Sequence, residues 1–221
     1  MVRNRNIKSI MNPSDTKNYP VRDLLPFALD YAYEFIRRIH STFYSRILAK
    51  WWGVDLGRGC QFTGTPYFRK HPTAKISIGS ICVFRSAEWS NSIGLNRRCF
   101  ISASRNAEIV IGRESGFSST IITANKAIHI GNHVLCGGNC TICDNDRHSI
   151  DLVERRNNLP GQAAAPIIIE DDVFLGMNTV VLKGVKIGYG TFVAANSVVV
   201  DSLPEKVLAG GHPARIIRHL T

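Results

Sequence analysis

The sequence contains no run of about eighteen apolar residues, the length that a helix needs to span a membrane. It also lacks an apolar stretch of about seven or more residues behind the charges of its N-terminus, MVRNRNIKSIMNPSD, so no cleavable signal pattern is present. We therefore expect a cytoplasmic protein. In that reducing compartment, the six cysteines are expected to be free thiols that pack as small apolar groups.

Acidic residues are few: 17 Asp and Glu stand against 27 Lys and Arg, which leaves a net charge of +10. Such an excess suits nucleic acid, anionic lipid or phosphorylated ligands, and charge alone does not choose among them. The basic residues are scattered, and the chain has no recognised nucleic-acid-binding motif. We therefore expect no nucleic-acid partner.

The first part of the chain divides into two segments. Residues 1–20 are polar and are predicted to form a flexible arm. Residues 21–52 carry apolar side chains at steps of three and four, which predicts a helical segment with one apolar face. The residues of this apolar stripe are Leu25, Leu29, Tyr33, Ile36, Ile39, Phe43, Ile47 and Trp51.

The other face of the predicted helix carries Arg37, Arg38, Arg46 and Lys50. This arrangement is typical of a helix that lies on an anionic membrane surface. A second interpretation is a cap over one end of the core, which we favour because repeat proteins cover their terminal apolar face with an atypical unit. The two interpretations are compatible.

Residues 53–221 show a period of six. Apolar residues recur at six-residue intervals at Ile169, Leu175, Val181, Ile187, Val193 and Val199. Small or β-branched residues follow four positions after the first five, at Val173, Thr179, Val185, Thr191 and Ser197. This period fits short strands separated by sharp corners, three per coil of a solenoid, and so predicts a mainly β chain.

One coil should then return to the same wall after about eighteen residues, as Ile93 does to Ile111 and Ile169 to Ile187. The step from Ile111 to Ile130 needs one extra residue, and the stretch 97–109 does not keep the phase, which predicts small bulges there.

Glycines follow many of the wall positions. We interpret them as corners that use the backbone freedom of glycine; they are Gly79, Gly94, Gly112, Gly131, Gly176 and Gly188.

The repeat is broken once, by a polar excursion that we call the active-site loop, residues 143–165. Long polar excursions from a regular scaffold commonly carry function. Within it Asp144, Asp146 and His148 alternate, which in an extended backbone predicts that all three lie on one side. A carboxylate beside an imidazole can orient it as a base.

The segment IIIEDDVFLGMNTVVLKGVKIGYGTFVAANSVVVDSLPEKVLAGGHPARIIR resembles the C-terminal half of the hexapeptide-repeat acyltransferases, in particular the maltose/galactoside and capsule/O-antigen acetyltransferase branch. The resemblance spans about Gly53 to Arg218 and implies a left-handed parallel β-helix that assembles as a homotrimer. It also implies an O-acetyltransferase that moves an acetyl group from acetyl-CoA directly to a hydroxyl.

The DNDRHSID segment resembles the family's catalytic segment, which implies that His148 is the general base and that Asp146 orients the histidine or the acceptor.

The resemblance also implies a coenzyme A site along the last coils, at Gly176, Met177, Ala195, Arg215 and Arg218. Small residues there let the pantetheine arm lie against the backbone, and the two arginines are suited to phosphates. The chain departs from the family in two places: His212 stands in place of Asn in the closing segment, and Val200 and Asp201 stand where maltose and galactoside acetyltransferases carry Thr-Lys. One basic contact to the cofactor is thus missing.

Two metal sites compete with this interpretation. Cys136, Cys140 and Cys143 have the spacing of an iron–sulfur motif, but the first two fall on inward positions of the solenoid, which favours packing. His129, His133 and His148 suggest the zinc site of γ-class carbonic anhydrases, whose spacing they do not follow. We therefore expect no metal.

The acceptor stays open at this point. A hydroxyl of a sugar or polysaccharide precursor is favoured by the DNDRHSID segment and by a helix that could lie at the inner face of a membrane. The alternatives are an N-acetyltransferase on an amino sugar, an antibiotic acetyltransferase and a non-enzymatic β-helix scaffold.

Overall fold

A computed structural model of the chain describes residues 21–157 and 163–221, so the predicted arm over residues 1–20 lies outside the described part. The described residues form one long helix, α1 (Val21–Trp51), one short helix, α2 (Leu152–Arg156), and twenty strands in three sheets.

The first eighteen strands follow one another in the repeating order sheet A, sheet B, sheet C, and the last two strands both join sheet B. Sheet A contains β1 (Asp55–Leu56), β4 (Lys75–Ile78), β7 (Glu108–Ile111), β10 (Ala127–Ile130), β13 (Ile167–Ile169) and β16 (Lys186–Ile187). Sheet B contains β2 (Gln61–Thr63), β5 (Val83–Arg85), β8 (Gly116–Ser118), β11 (Leu135–Gly138), β14 (Phe174–Leu175), β17 (Phe192–Val193), β19 (Val207–Gly211) and β20 (Ala214–His219). Sheet C contains β3 (Tyr67–Lys70), β6 (Phe100–Ala103), β9 (Ile121–Ala124), β12 (Thr141–Cys143), β15 (Val180–Val181) and β18 (Val198–Val199).

Each coil adds one strand to each sheet, and all described pairings between named strands are parallel except that of β19 with β20. The predicted parallel β-helix with an N-terminal helix is therefore confirmed. Its left hand remains an implication of the resemblance.

The interior is filled by the residues of the six-residue period. The wall residues from Ile169 to Val199 are each at most 1% exposed, and the small residues four positions after the first five are buried as well. Ile169 pairs directly with Ile187, as the spacing predicts. At the N-terminal end, Phe62, Phe84 and Phe117 stack inside the coil at centroid distances of 5.1 Å.

The early coils differ from the prediction in one place. Ile93 is 52% exposed, and the residue that pairs with Ile111 in the preceding coil is Ile78. The assignment of Ile93 to the wall is wrong because residues 86–98 form an insertion between β5 and β6, with a 3₁₀ turn at Glu88–Ser90. The stretch 97–109, expected to lose phase, instead contains β6 and the start of β7 in regular register.

The glycines at the corners have a different role from the predicted one. Gly79, Gly112, Gly131, Gly176 and Gly188 are not among the residues with positive φ. A Cβ atom on Gly112 would lie 2.5 Å from the carbonyl carbon of Gly131 in the next coil. These positions need glycine because stacked coils approach too closely for a side chain, and the predicted backbone freedom is not the reason. Gly94 has φ +80° and open space around its Cα.

Helix α1 meets the first coil through a stripe of small residues. Ser41, Ser45 and Ala49 are buried, and Thr42 Oγ1 accepts the N–H of Phe62 at 3.0 Å, so α1 satisfies a backbone donor at the open end of sheet B. Arg46 also donates to the carbonyl of Cys60. The helix therefore covers the first coil with its small and basic side chains.

The apolar stripe predicted for α1 points away from the solenoid. All eight of its residues, from Leu25 to Trp51, are exposed, so the face expected to cover the core does not do so. Leu48 and Trp52, outside that stripe, pack against the core instead. Neither described helix is long and apolar enough to cross a membrane.

Candidate active site

The described part of the active-site loop is held by its own hydrogen bonds. Asp151 caps α2 by accepting the N–H groups of Val153 and Glu154, both at 2.9 Å. Ser149 Oγ donates to the carboxylate of Glu154 at 2.6 Å. The described part of the excursion predicted as a polar loop is thus an ordered structure around a short capped helix.

Asp144 is a structural residue. It is fully buried, and its carboxylate accepts the backbone N–H groups of Asn125, Lys126 and Ala127 at 2.7–2.9 Å. It thereby fixes the loop to the turn of the preceding coil. The predicted grouping of Asp144 with Asp146 and His148 is wrong, because Arg147 has φ +62° and the backbone is not extended over this stretch.

Asp146 forms an ion pair with Lys183. Its Oδ1 lies 2.6 Å from Lys183 Nζ, which belongs to the turn after β15 in the next coil, and both side chains are partly buried. The backbone N–H of Asp146 also donates to the carbonyl of Ala163. Asp146 therefore ties the loop to the following coil, as Asp144 ties it to the preceding one.

His148 lies at the exposed tip of this arrangement. Its backbone N–H donates to the carbonyl of Asp146 at 2.7 Å, so its position follows from the ion pair that holds Asp146. The side chain is exposed to solvent. An exposed imidazole on a fixed backbone can take a proton from a bound hydroxyl.

Gly176, Met177 and Ala195 lie together on the turns that connect sheet B to sheet C, and we call this set the donor column. A Cβ atom on Gly176 would collide with the backbone of Ala195, and the carbonyl of Met177 accepts the N–H of Asn196 at 2.8 Å. The column thus presents backbone and small side chains along the edge of two successive coils, a surface against which a thin chain can lie.

Arg215 and Arg218 are exposed on β20, the last strand of sheet B. Arg215 Nη1 lies 3.0 Å from Asp201 Oδ2, and both side chains are well exposed. Asp201, which stands where the family pattern has a lysine, is therefore paired with one of the two predicted phosphate-binding residues. An exposed pair of this kind is worth about 0–1 kcal/mol, so a stronger anion can displace Asp201.

In one chain, the two parts of the predicted site are separated. The active-site loop is a turn from sheet C to sheet A, whereas the donor column lies on turns from sheet B to sheet C. The width of sheet C lies between them, and the three-residue strand β12, which leads into the loop, spans about 10 Å at about 3.3 Å per residue.

The cysteine motif belongs to the core. Cys136 and Cys140 are buried, and desolvation raises the pKa of Cys140 to about 11 and that of Cys136 well above its ordinary value. Both thiols stay protonated at neutral pH, whereas metal ligation needs thiolates. All six cysteines are free, as predicted.

The three histidines of the alternative zinc site are dispersed. His129 Nε2 lies 3.4 Å from Glu108 Oε2 on the outer face of sheet A. His133 Nδ1 lies 3.7 Å from Glu114 Oε2 on a turn from sheet A to sheet B. Residues 21–157 and 163–221 contain no group of three His, Cys, Asp or Glu side chains placed to hold a metal ion.

Sequence reasoning missed Lys183 and Arg147. Lys183 belongs to the turn after the wall residue Val181. The six-residue period therefore contained the signal that places Lys183 on the edge that carries the loop. Arg147 donates from Nη2 to Thr123 Oγ1 at 3.0 Å, across the outer face of sheet C. No spacing in the sequence indicates that contact.

Comparison with known proteins shows which family this chain is similar to. Residues 166–200 match the model described as the hexapeptide repeat of succinyl-transferase. The solved structure of a hexapeptide-repeat containing acetyltransferase from Vibrio cholerae is 30% identical, with a TM-score of 0.50 over 78% of this chain and 77% of that one.

Two curated relatives match over shorter segments. An acetyltransferase-like protein of Schizosaccharomyces pombe is 39% identical over 42% of this chain and 44% of its own length. The 2,3,4,5-tetrahydropyridine-2,6-dicarboxylate N-acetyltransferase of Clostridium perfringens is 58% identical over 24% of this chain and 22% of its own length. The chain thus spans less than half of the length of these curated relatives.

Proposed function

The chain belongs to the hexapeptide-repeat containing acetyltransferases, and from this premise we propose that it transfers an acetyl group from acetyl-CoA to a hydroxyl of a saccharide. The observation that carries the proposal is the 30% identity to the Vibrio cholerae enzyme over 78% of the chain. Release of the coenzyme A thiol in the presence of saccharide acceptors tests it.

In the proposed reaction, His148 is the general base. Its imidazole takes the proton of the acceptor hydroxyl as that oxygen attacks the carbonyl carbon of the thioester, and the C–S bond then breaks to release coenzyme A. The exposed position of His148 at the loop tip supports this role. Asp146 acts as a positioning residue through its ion pair with Lys183. Direct transfer needs no nucleophilic cysteine, and five of the six thiols are buried, with Cys143 only partly so.

The donor is proposed to bind along the donor column, with its phosphates near Arg215 and Arg218. The small, exposed side chain of Ala195 supports a close approach of the pantetheine arm to the backbone there. The exposure of both arginines supports contact with phosphates.

Replacement of Arg215 by alanine should weaken coenzyme A binding about tenfold, because one charge-assisted contact is worth about 1.4 kcal/mol. Replacement of Asp201 by alanine should have the opposite sign and strengthen binding about threefold, because it frees Arg215 from a competing carboxylate. Calorimetric titration with coenzyme A measures both. Weaker binding by Asp201→Ala would show that Arg215 does not meet a phosphate.

We propose a homotrimer in which the active-site loop of one chain faces the donor column of the next. The separation of the two parts by the width of sheet C in a single chain supports this arrangement. Light scattering on the purified protein should give the mass of three chains, and a monomer that transfers acetyl groups at full rate would contradict it.

A second candidate is N-acetylation of an amino group. The local 58% identity to the N-acetyltransferase of Clostridium perfringens favours it. The products separate the two reactions, since hydroxylamine cleaves an acetyl ester and leaves an acetamide intact.

We also propose that α1 lies at the cytoplasmic face of a membrane that contains anionic lipid. Its exposed apolar stripe and the net charge of +10 support this location. Arg37 stacks over the ring of Trp89 at 3.9 Å, so part of the basic face is turned toward the solenoid and the apolar stripe is left outward.

Vesicles of phosphatidylcholine with phosphatidylglycerol should bind the protein, and the double variant Phe43→Ser/Ile47→Ser should bind at least about tenfold more weakly, because each side chain loses about 1.5–3 kcal/mol of apolar burial. Both residues are exposed, so the fold should not change. Ile168→Ser, an exposed residue on sheet A, is the matched control. Equal sedimentation of both proteins with the vesicles would contradict the location.

A further inference from the structure

A cavity of about 620 Å³ lies on the outer face of sheet C, beside the active-site loop. We call it the sheet C cavity. Its wall is formed by residues of β3, of β6 and of the turns that follow them, and by Arg147 of the loop; the side chains that matter are Arg69, Lys70, His71, Phe100, Arg105 and Arg147.

The register of the β-helix builds this cavity. Arg69 pairs with Ser102, and Ser102 pairs with Thr123, so the three form one column on sheet C. Arg147 reaches this column through its bond to Thr123, while Trp52, just after α1, borders the cavity as well. Arg147 directly precedes His148 in the chain, so one wall of the cavity is formed by the residue next to the proposed base.

The cavity is strongly basic. Arg69, Lys70, Arg105 and Arg147 bring four formal positive charges, and none of the described residues that line it is acidic. Within the described residues none of the four forms an ion pair, and Lys70 donates only to the carbonyl of Ala74. Like charges gathered without counter-charges repel one another, and a bound anion relieves that repulsion.

An aromatic surface accompanies these charges. Phe100 lines the cavity, and its ring stacks on that of Tyr67 at 5.1 Å with an interplanar angle of 5°. Tyr67 is half exposed, so the stack is open to solvent. A flat apolar face beside cationic groups suits a molecule with one apolar side and one charged group, as a sugar ring with an acidic substituent has.

We propose that the sheet C cavity binds the acceptor and that the acceptor is an anionic saccharide, a sugar that carries a phosphate or a carboxylate. The assignment rests on the proposed acetyl transfer. The anionic group sits among Arg69, Arg105 and Arg147, and the sugar presents a hydroxyl to His148. The reaction balances: the hydroxyl oxygen gains the acetyl group, its proton passes through His148 to the departing thiolate, and free coenzyme A leaves.

Matched sugar pairs test the proposal: glucose against glucose 6-phosphate, and glucose against glucuronate. Binding is measured calorimetrically on the protein loaded with coenzyme A, and acetyl transfer is measured as thiol release from acetyl-CoA. At least one charged member should bind at least about tenfold better than glucose, and added salt should reduce that ratio. The preferred member tells whether phosphate or carboxylate is recognised.

The double variant Arg69→Ala/Arg105→Ala should bring this ratio close to one and leave coenzyme A affinity unchanged. Both arginines are exposed, so folding is not at stake, and Arg58→Ala, an exposed arginine between β1 and β2, is the matched control. Equal binding of charged and neutral sugars, or a ratio unchanged in the double variant, overturns the proposal. If the wild-type protein binds no coenzyme A and releases no thiol but still prefers a charged sugar, the proposed acetyl transfer is overturned and the anionic-saccharide site remains.

Discussion

Replacement of His148 by alanine should lower kcat/KM for acetyl transfer by about a hundredfold to ten-thousandfold, the contribution of a general base. The backbone at this position is held by the N–H of His148 to the carbonyl of Asp146 and by the Asp146–Lys183 pair, and alanine keeps both. Affinity for coenzyme A should therefore stay within about twofold, since the contacts proposed for coenzyme A come from the donor column and from β20 and not from the imidazole of His148.

The matched control is His129→Ala, an exposed histidine on sheet A that pairs with Glu108. It should keep the wild-type rate. If His148→Ala retains a rate within a few fold of the wild type, another group is the base. If His148→Ala instead loses its fold, as judged by circular dichroism, His148 has a structural role.

The second large effect concerns stability. Phe84 is fully buried between Phe62 and Phe117 in the interior stack, and Phe84→Ala should lower the free energy of unfolding by about 3–5 kcal/mol. Phe192 stacks on Phe174 at 4.5 Å but on the outside of sheet B, where it is 40% exposed. Phe192→Ala should cost about 1 kcal/mol, because it leaves no interior cavity.

Urea unfolding followed by circular dichroism measures both variants. The difference between the two aromatic stacks tests which side of the coil is the core. A cost for Phe192→Ala equal to that for Phe84→Ala would contradict the assignment of inside and outside.

The period of six was sufficient to predict the later coils. From Ile169 to Val199 each coil has eighteen residues, so a wall position repeats without correction and the buried residues follow directly. The same period wrongly assigned Ile93 to the wall, because an insertion can place an isoleucine at a matching distance by coincidence. Only the pairing of Ile78 with Ile111 shows the true coil.

The direction of the side chains in the loop could not be predicted from spacing. Alternation places residues on one side only if the backbone is extended, and the positive φ of Arg147 breaks that condition. Asp144 turned inward because three backbone N–H groups of an adjacent turn needed an acceptor, which is a contact between coils. The ion pair of Asp201 with Arg215 could not be predicted from spacing either, because it depends on how separate segments pack.

Helix α1 illustrates the same limit. The apolar period predicted the helix, but the stripe of Ser41, Ser45 and Ala49 makes the contact with the first coil, because small residues let the helix reach the backbone of Phe62. A hydrophobic pattern identifies a face that avoids water without telling what covers it.

The transfer of an acetyl group is tested most directly by incubation of the purified protein with acetyl-CoA and a panel of neutral and anionic sugars. Free thiol is followed over time and the sugar is analysed by mass spectrometry, beside His148→Ala. We predict thiol release that depends on the acceptor, a sugar heavier by one acetyl group, and loss of both in the variant. Thiol release no greater with any sugar than without, or equal release by the variant, would contradict the proposed activity of His148.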